Sequence, residues 1–219
     1  MIDWETLGPV FWEAILQTLG MAVVTLVAGG ALGLVLGVLL YTTRAGGLLA
    51  NRFVFTVLNL LVNIIRPIPF IIFITAIGPL TIFTVGTSLG TVAATFALVI
   101  AATFGISRIV EQNLVTIDPG VIEAARAMGA SPMRIILTLL VPEALGPLIL
   151  GYTFVFVAIV DMTAVAGAVG GGGLGDFAIA YGYHRFDWAV TWLAVITIIV
   201  LVQGAQFLGN RLARKALRR

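Results

Sequence analysis

Apolar residues run almost unbroken over approximately 10–42, 53–77, 88–109, 143–166 and 188–209, and the polar residues collect in the gaps between. Each run is long enough for a hydrocarbon core, which a helix crosses in about 20 residues. Separate segments of this kind cross only as helices, because backbone groups find no water partners in lipid. The pattern therefore predicts an all-α fold: a polytopic membrane protein with about five transmembrane helices. No repeat, soluble domain or linker interrupts it, so residues 1–219 are expected to form a single transmembrane domain.

Composition agrees with a lipid solvent. The chain is 60% hydrophobic and only 10% charged, with a mean hydropathy of +1.13. Soluble domains carry about 25% charged residues, and so few charges could not cover a globule of this length in water. A net charge of +2 and a pI of 9.4 would point a soluble protein toward nucleic acid. Here the placement of the basic residues carries the information instead. Arg44 and Arg52 lie between the first two runs, Arg108, Arg126 and Arg134 between the third and fourth, and Arg211, Arg214, Lys215, Arg218 and Arg219 after the fifth. Five crossings bring all three groups to one side, which the positive-inside rule makes cytoplasmic. The other side receives Asp3, Glu5, Glu13, the uncharged 78–87 connection and the 167–187 connection with Arg185. The N-terminus is thus expected outside and the C-terminus in the cytoplasm. The start, MIDWETLGPVFWEA, is acidic and lacks a basic n-region, so no cleaved signal peptide is expected. Without cysteine there are neither disulfides nor thiolate metal sites.

Within the first run, GGALGLVLG places Gly29, Gly33 and Gly37 every four residues, a smooth face for close helix approach. Packing within the chain and a subunit interface are both open readings.

The largest polar gap is DPGVIEAARAMGASPMRIILTLLVPEAL, 118–145. Asp118-Pro119 is a helix start, since Asp caps free N–H groups and Pro suits the first turn. Gly129 is placed to end that helix in a left-handed conformation, and Ser131-Pro132 repeats the start signal. Two short helices hinged at Gly129 are predicted, too short and polar to span, lying along the cytoplasmic face. An amphipathic helix resting on lipid is the bland alternative. The small Ala124-Ala125 pair and the exposed Glu123 favour a docking element for another protein.

These residues carry a resemblance. Glu123-Ala124-Ala125, three residues, Gly129, nine residues, then Leu139-Leu140-Val141-Pro142 resembles the EAA motif of ABC importer permeases; Leu139 and Val141 stand where the family usually has Ile and Leu. NIIRPIPFIIF at 63–73, AGAVGGGGLGDFAIAYGYHRF at 166–186 and TRAGGLLAN at 43–51 are similar to permeases of methionine uptake importers. The resemblance implies a type I importer permease fold in a bacterial inner (cytoplasmic) membrane, with 118–141 as the coupling segment. It further implies cytoplasmic ATPase subunits that bind ATP and Mg²⁺, an extracytoplasmic substrate-binding protein, and a second copy of this chain. Docking would fall to Glu123, Ala124, Ala125, Gly129 and Pro142.

Few residues offer other chemistry. GGGGLG at 170–175 formally contains a dinucleotide fingerprint, but that motif needs a βαβ unit. The Gly run is read instead as a mobile or tightly turned outer connection. No phosphate loop of the G-x-x-x-x-G-K-[ST] type occurs, so no nucleotide cofactor is expected in this chain. His184 has no second His or Cys nearby, which argues against a metal. No nucleophile–base cluster or paired carboxylate suggests catalysis. Arg66 and Asp161 are the unusual residues, because ionisable groups within spans cost about 2.5–3.5 kcal/mol. A structural ion pair and a polar lining for a passage are the two readings, with Pro67 and Pro69 breaking the helix beside Arg66. Asn59 and Asn63, four apart, form a polar stripe leading there, read as interhelical glue or as lining. Arg66, Pro69, Asp161, Thr163, Asn59 and Asn63 are thus the candidate pathway residues. Asp161 departs from the family pattern, in which a neutral residue is usual. The rival to an importer subunit is a stand-alone channel or ion-coupled amino-acid carrier using Arg66 and Asp161.

Overall fold

The computed structural model describes residues 4–217; Asp3, Arg218 and Arg219, counted in the charge pattern above, lie outside the described residues. The described residues are helical almost throughout. The first helix, α1, runs 40 residues from Trp4 to Thr43, roughly 60 Å at 1.5 Å per residue. A wide π-type turn at Thr25–Gly29 interrupts its regular winding. There the Tyr152 hydroxyl donates to Gly30 O at 2.7 Å, giving that region an outside partner. Thr25 Oγ1 is buried beside the same turn with no partner among the described residues.

The second apolar run does not form one continuous helix. It divides into α2 (Arg52–Ile65) and α3 (Phe70–Ala76), bent by 109° at the break. Two prolines cause the break, since neither Pro67 nor Pro69 can donate to a preceding carbonyl and each restricts the residue before it. Helix α4 (Gly78–Val85) then occupies most of the expected 78–87 connection.

Helix α5 (Gly90–Val115) outruns its predicted end at 109. Arg108, which the charge count places in a connection although the apolar run itself reaches 109, lies well inside this helix. The glycine face of α1 packs against α5: a Cβ on Gly37 would lie 2.5 Å from both Ser107 O and Val110 Cβ, and one on Gly33 would lie 2.7 Å from Ile106 Cβ. That face is used inside the chain and is not free for a second copy.

Next come α6 (Pro119–Ala127), a second short helix α7 over 132–143, α8 (Leu145–Ala166), α9 (Gly173–Phe177, extended by a wide turn to 182) and α10 (Trp188–Leu217). The 167–187 segment, expected as a mobile or tightly turned outer connection, is mostly helical turns. Gly170, Gly172 and Gly173 have φ of 87°, 75° and 80°, and Gly171, Gly173 and Gly175 are buried. Of the two readings, the tightly turned one holds.

Two buried clusters define the ends of the bundle. Tyr41, Leu114, Ile117, Ala125 and Ala144 share one cluster, with Leu48 packed on it. Leu217 lies against Gly146 at that end. Ala14, Leu174, Phe177 and Val190 form the other cluster, with Leu7 and Val10 packed on it. Arg44, Arg52, Arg126, Arg134, Arg214 and Lys215 fall at the first end, and Glu5, Glu13, Asp176, Arg185 and Asp187 at the second. This is the segregation that five crossings require.

Candidate translocation and coupling sites

The Arg66-Pro67-Ile68-Pro69 break forms one wall of a cavity of about 250 Å³. Ile68, Phe70 and Phe73 line it from the break and α3, Gly105 and Ile109 from α5, and Phe154, Ala158 and Met162 from α8. Arg66 is the only charged residue in this lining. Its side chain is exposed and has no ion-pair partner among the described residues. Pro69 is the residue that starts α3, with φ −55° and ψ 134°.

Asp161 is exposed on α8, between the cavity-lining Ala158 and Met162, and it too has no ion-pair partner among the described residues. Asp161 follows and precedes lining residues in sequence but is not itself in the lining, and it forms no salt bridge with Arg66. Thr163 is placed differently: it is 2% exposed, and its hydroxyl donates to Val160 O at 2.7 Å. In this conformation it offers no surface to a passage.

Asn59 and Asn63 turn toward α5. Arg108 Nη2 donates to Asn59 Oδ1 at 2.9 Å and to Asn63 Oδ1 at 2.6 Å. Its Nη1 pairs with Glu111 Oε2 at 2.5 Å. The stripe is thus half of an interhelical polar cluster with its cation on the neighbouring helix. Arg108 and Glu111 were missed because an Arg near the end of an apolar run reads as a loop residue. Their opposite charges three apart on a continuing helix were the signal.

At the other end of the bundle, Gln17 Oε1 accepts from Gly173 N at 2.7 Å, and Thr18 Oγ1 accepts from Leu174 N at 2.8 Å. Two polar side chains of α1 therefore satisfy the N–H groups that open α9. Gln17 Nε2 in turn donates to Glu13 Oε1 at 2.9 Å. Two adjacent polar residues in an otherwise apolar run were the available sign.

The polar gap folds as two capped helices. Asp118 Oδ1 accepts from Gly120 N at 2.8 Å, and Ser131 Oγ from Arg134 N at 3.4 Å. Gly129 has φ 79°; Gly129 N donates to Arg126 O at 2.9 Å and Ala130 N to Ala125 O at 3.1 Å, closing α6 with a left-handed cap. Ala125 turns inward and is 6% exposed, so the alanine pair is split and only Ala124 faces out. Glu123, Gly129 and Pro142 are exposed. Beside them lies apolar surface that the sequence reading passed over: Val121, Met133 and above all Met128, which is 82% exposed. Arg44 stacks on Tyr41 at 4.1 Å and shares a small crevice with Ile122, Glu123 and Arg126, where the 44–48 turn supports α6. Among the described residues no group of three or more His, Cys, Asp or Glu could hold a metal ion.

A bundle of apolar helices, a cavity beside a broken helix, and two capped polar helices at the basic end together fit a membrane-spanning transport component. Residues 29–218 match the family described as binding-protein-dependent transport system inner membrane component, and the chain belongs to that family. It is 44% identical over 199 residues to a Vibrio cholerae protein named "Probable D-methionine transport system permease protein MetI", covering 91% of this chain and 88% of that one. It is 43% identical over 172 residues to the methionine import system permease protein MetP of Bacillus subtilis, covering 78% of each. Among solved structures it is similar to a chain of the MetNI methionine ABC transporter in an inward-facing conformation, with a TM-score of 0.94, 39% identity and 99% of both chains covered.

Proposed function

We propose that this chain is the membrane-spanning subunit of an ATP-driven importer for methionine or a closely related amino acid. The observation that carries the reading is the match over 99% of both chains, at 39% identity, to the MetNI transporter chain. Two copies form the passage between them. Two ATPase subunits, which bind ATP and Mg²⁺, engage the exposed faces of α6 and α7 around Glu123, Ala124, Gly129 and Pro142. A binding protein delivers substrate at the opposite end. The basic end of the bundle is cytoplasmic, which places the N-terminus outside. Arg66, Pro69 and Asp161 border the passage, and Asn59 and Asn63 hold its wall through Arg108.

Transport is a switch between two packed arrangements. Closure of the ATPases moves the α6–α7 unit, and because α6 packs into the same buried cluster as Tyr41, Leu114 and Leu140, its movement carries α1 and α5 with it. The test is uptake of labelled methionine into proteoliposomes containing this chain, the ATPase and the binding protein. Uptake is expected only with ATP and all three components present. Uptake by the chain alone would instead establish a channel or ion-coupled carrier.

A further inference from the structure

The Arg66 cavity sets one charge into an otherwise apolar lining. Its wall is apolar, contributed by three separate helices and by the break between α2 and α3, yet it contains one permanent cation. A guanidinium is always charged and presents paired donors that match a carboxylate. Leaving it without a counter-ion at membrane depth is costly unless a ligand or water-filled cavity meets it. The other unpaired charge nearby is Asp161, one helical turn beyond Ala158 and adjacent to Met162, both of which line the cavity. By helix rise the two charges lie at similar heights. Arg66 is roughly 21 Å along from the start of α2, and Asp161 roughly 24 Å along from the start of α8. Both helices start at the same end of the bundle, where the 41–48 turn meets Ala144.

We infer that this cavity is a recognition site for a free zwitterionic α-amino acid with an unbranched apolar side chain. The inference rests on the importer reading above and deepens it. Arg66 takes the α-carboxylate, and Asp161 takes the α-ammonium. Phe70, Phe73 and Met162 receive the side chain; a thioether suits such a surface, being polarizable and attracted to aromatic edges. A volume of about 250 Å³ is ample for one such side chain. The two opposite charges explain why neither needs an internal partner: the ligand brings both counter-charges at once. The permease would then test the substrate's two head groups itself, after release from the binding protein.

The experiment titrates methionine into the full chain reconstituted in nanodiscs, without ATPase or binding protein, and follows bound radiolabel. Saturable binding is expected. N-acetylmethionine, which lacks the ammonium, and methioninamide, which lacks the carboxylate, should each compete at least 10-fold more weakly. Arg66→Gln and Asp161→Asn should each weaken binding at least 10-fold, and Arg66→Lys should recover part of the loss. Absence of saturable binding to the wild-type chain, equal competition by either analogue, or unchanged binding in both variants would overturn the inference. Where a variant elutes abnormally, the analogue series on the wild-type chain decides. The importer reading is judged separately, by ATP-dependent uptake into proteoliposomes, and stands or falls without this site.

Discussion

Arg108 on α5 reaches across to Asn63 on α2, donating Nη2 to its side-chain oxygen at 2.6 Å while Nη1 stays with Glu111. The bond matters because α2 has little else to hold it. Of its residues only Val62 is buried, and Leu60, Leu61 and Ile64 face outward. A helix with so little apolar contact inside the chain depends on its polar bonds for position. Position is what places Arg66 at its end.

Arg108→Gln is therefore expected to loosen α2, with a loss near the about 1.5–3 kcal/mol typical of a hydrogen bond to a charged group. It also strands Glu111 as an uncompensated carboxylate in an apolar setting. Arg108→Gln combined with Glu111→Gln should consequently be less damaging than Arg108→Gln alone. Thermal unfolding of the purified complex measures the order. The native chain has no cysteine, so a disulfide engineered between positions 59 and 108 reports the same displacement. Equal stability of single and double variants would count against a charge-compensated cluster.

The glycine face makes a sharper contrast. Gly37→Ala places a methyl where Ser107 O and Val110 already stand, 2.5 Å away. Overpacking of this kind costs about 1–3 kcal/mol. Gly20→Ala, on the same helix with nothing within 4 Å, should be neutral or stabilising by up to about 1 kcal/mol, the helix preference for Ala over Gly. The melting temperature should fall with Gly37→Ala and hold or rise with Gly20→Ala.

These cases show what the sequence could reveal. Hydrophobic run length was enough for an all-helical bundle with four to five candidate spans, and basic-residue placement for its two ends, because lipid imposes those constraints on any chain. The caps at Asp118, Gly129 and Ser131 were legible because capping is local chemistry. Arg108 was not, since its charge compensation depends on Asn59 and Asn63, some 45–49 residues away. The order in the Gly-rich segment was hidden too. It comes from Gln17 and Thr18, 156 residues earlier in the chain. Ala125 resembled its neighbour until packing against Ile122 and Leu140 turned it inward.

Thr18 supplies a prediction of its own. It is 2% exposed, and its hydroxyl is the partner of the buried Leu174 N–H. Thr18→Val keeps the shape but leaves that donor unsatisfied, a cost of about 1–3 kcal/mol. Hydrogen exchange at 172–176 should accelerate, with exchange in α5 unchanged. Unaltered protection at Leu174 would mean that the side chain does not hold the turn.

Gly129 separates backbone strain from steric contact at the basic end of the bundle. A Cβ there meets nothing within 4 Å, yet φ is 79°, so any effect of Gly129→Ala must come from the left-handed backbone. That conformation costs a non-glycine residue roughly 1–2 kcal/mol. Asn tolerates it better than Ala, and β-branched Val much worse. ATPase co-purification and binding-protein-stimulated ATP hydrolysis are accordingly expected to fall in the order Gly, Asn, Ala, Val. If α6 and α7 must be preformed to dock, the Ala loss should approach 10-fold, the equivalent of about 1.4 kcal/mol. Glu123→Lys, which leaves the backbone untouched, should abolish co-purification without lowering the melting temperature of the chain. A melting temperature that fell with Glu123→Lys, or an Ala variant coupling as well as glycine, would rule out the capped pair of helices as the docking surface for an ATPase.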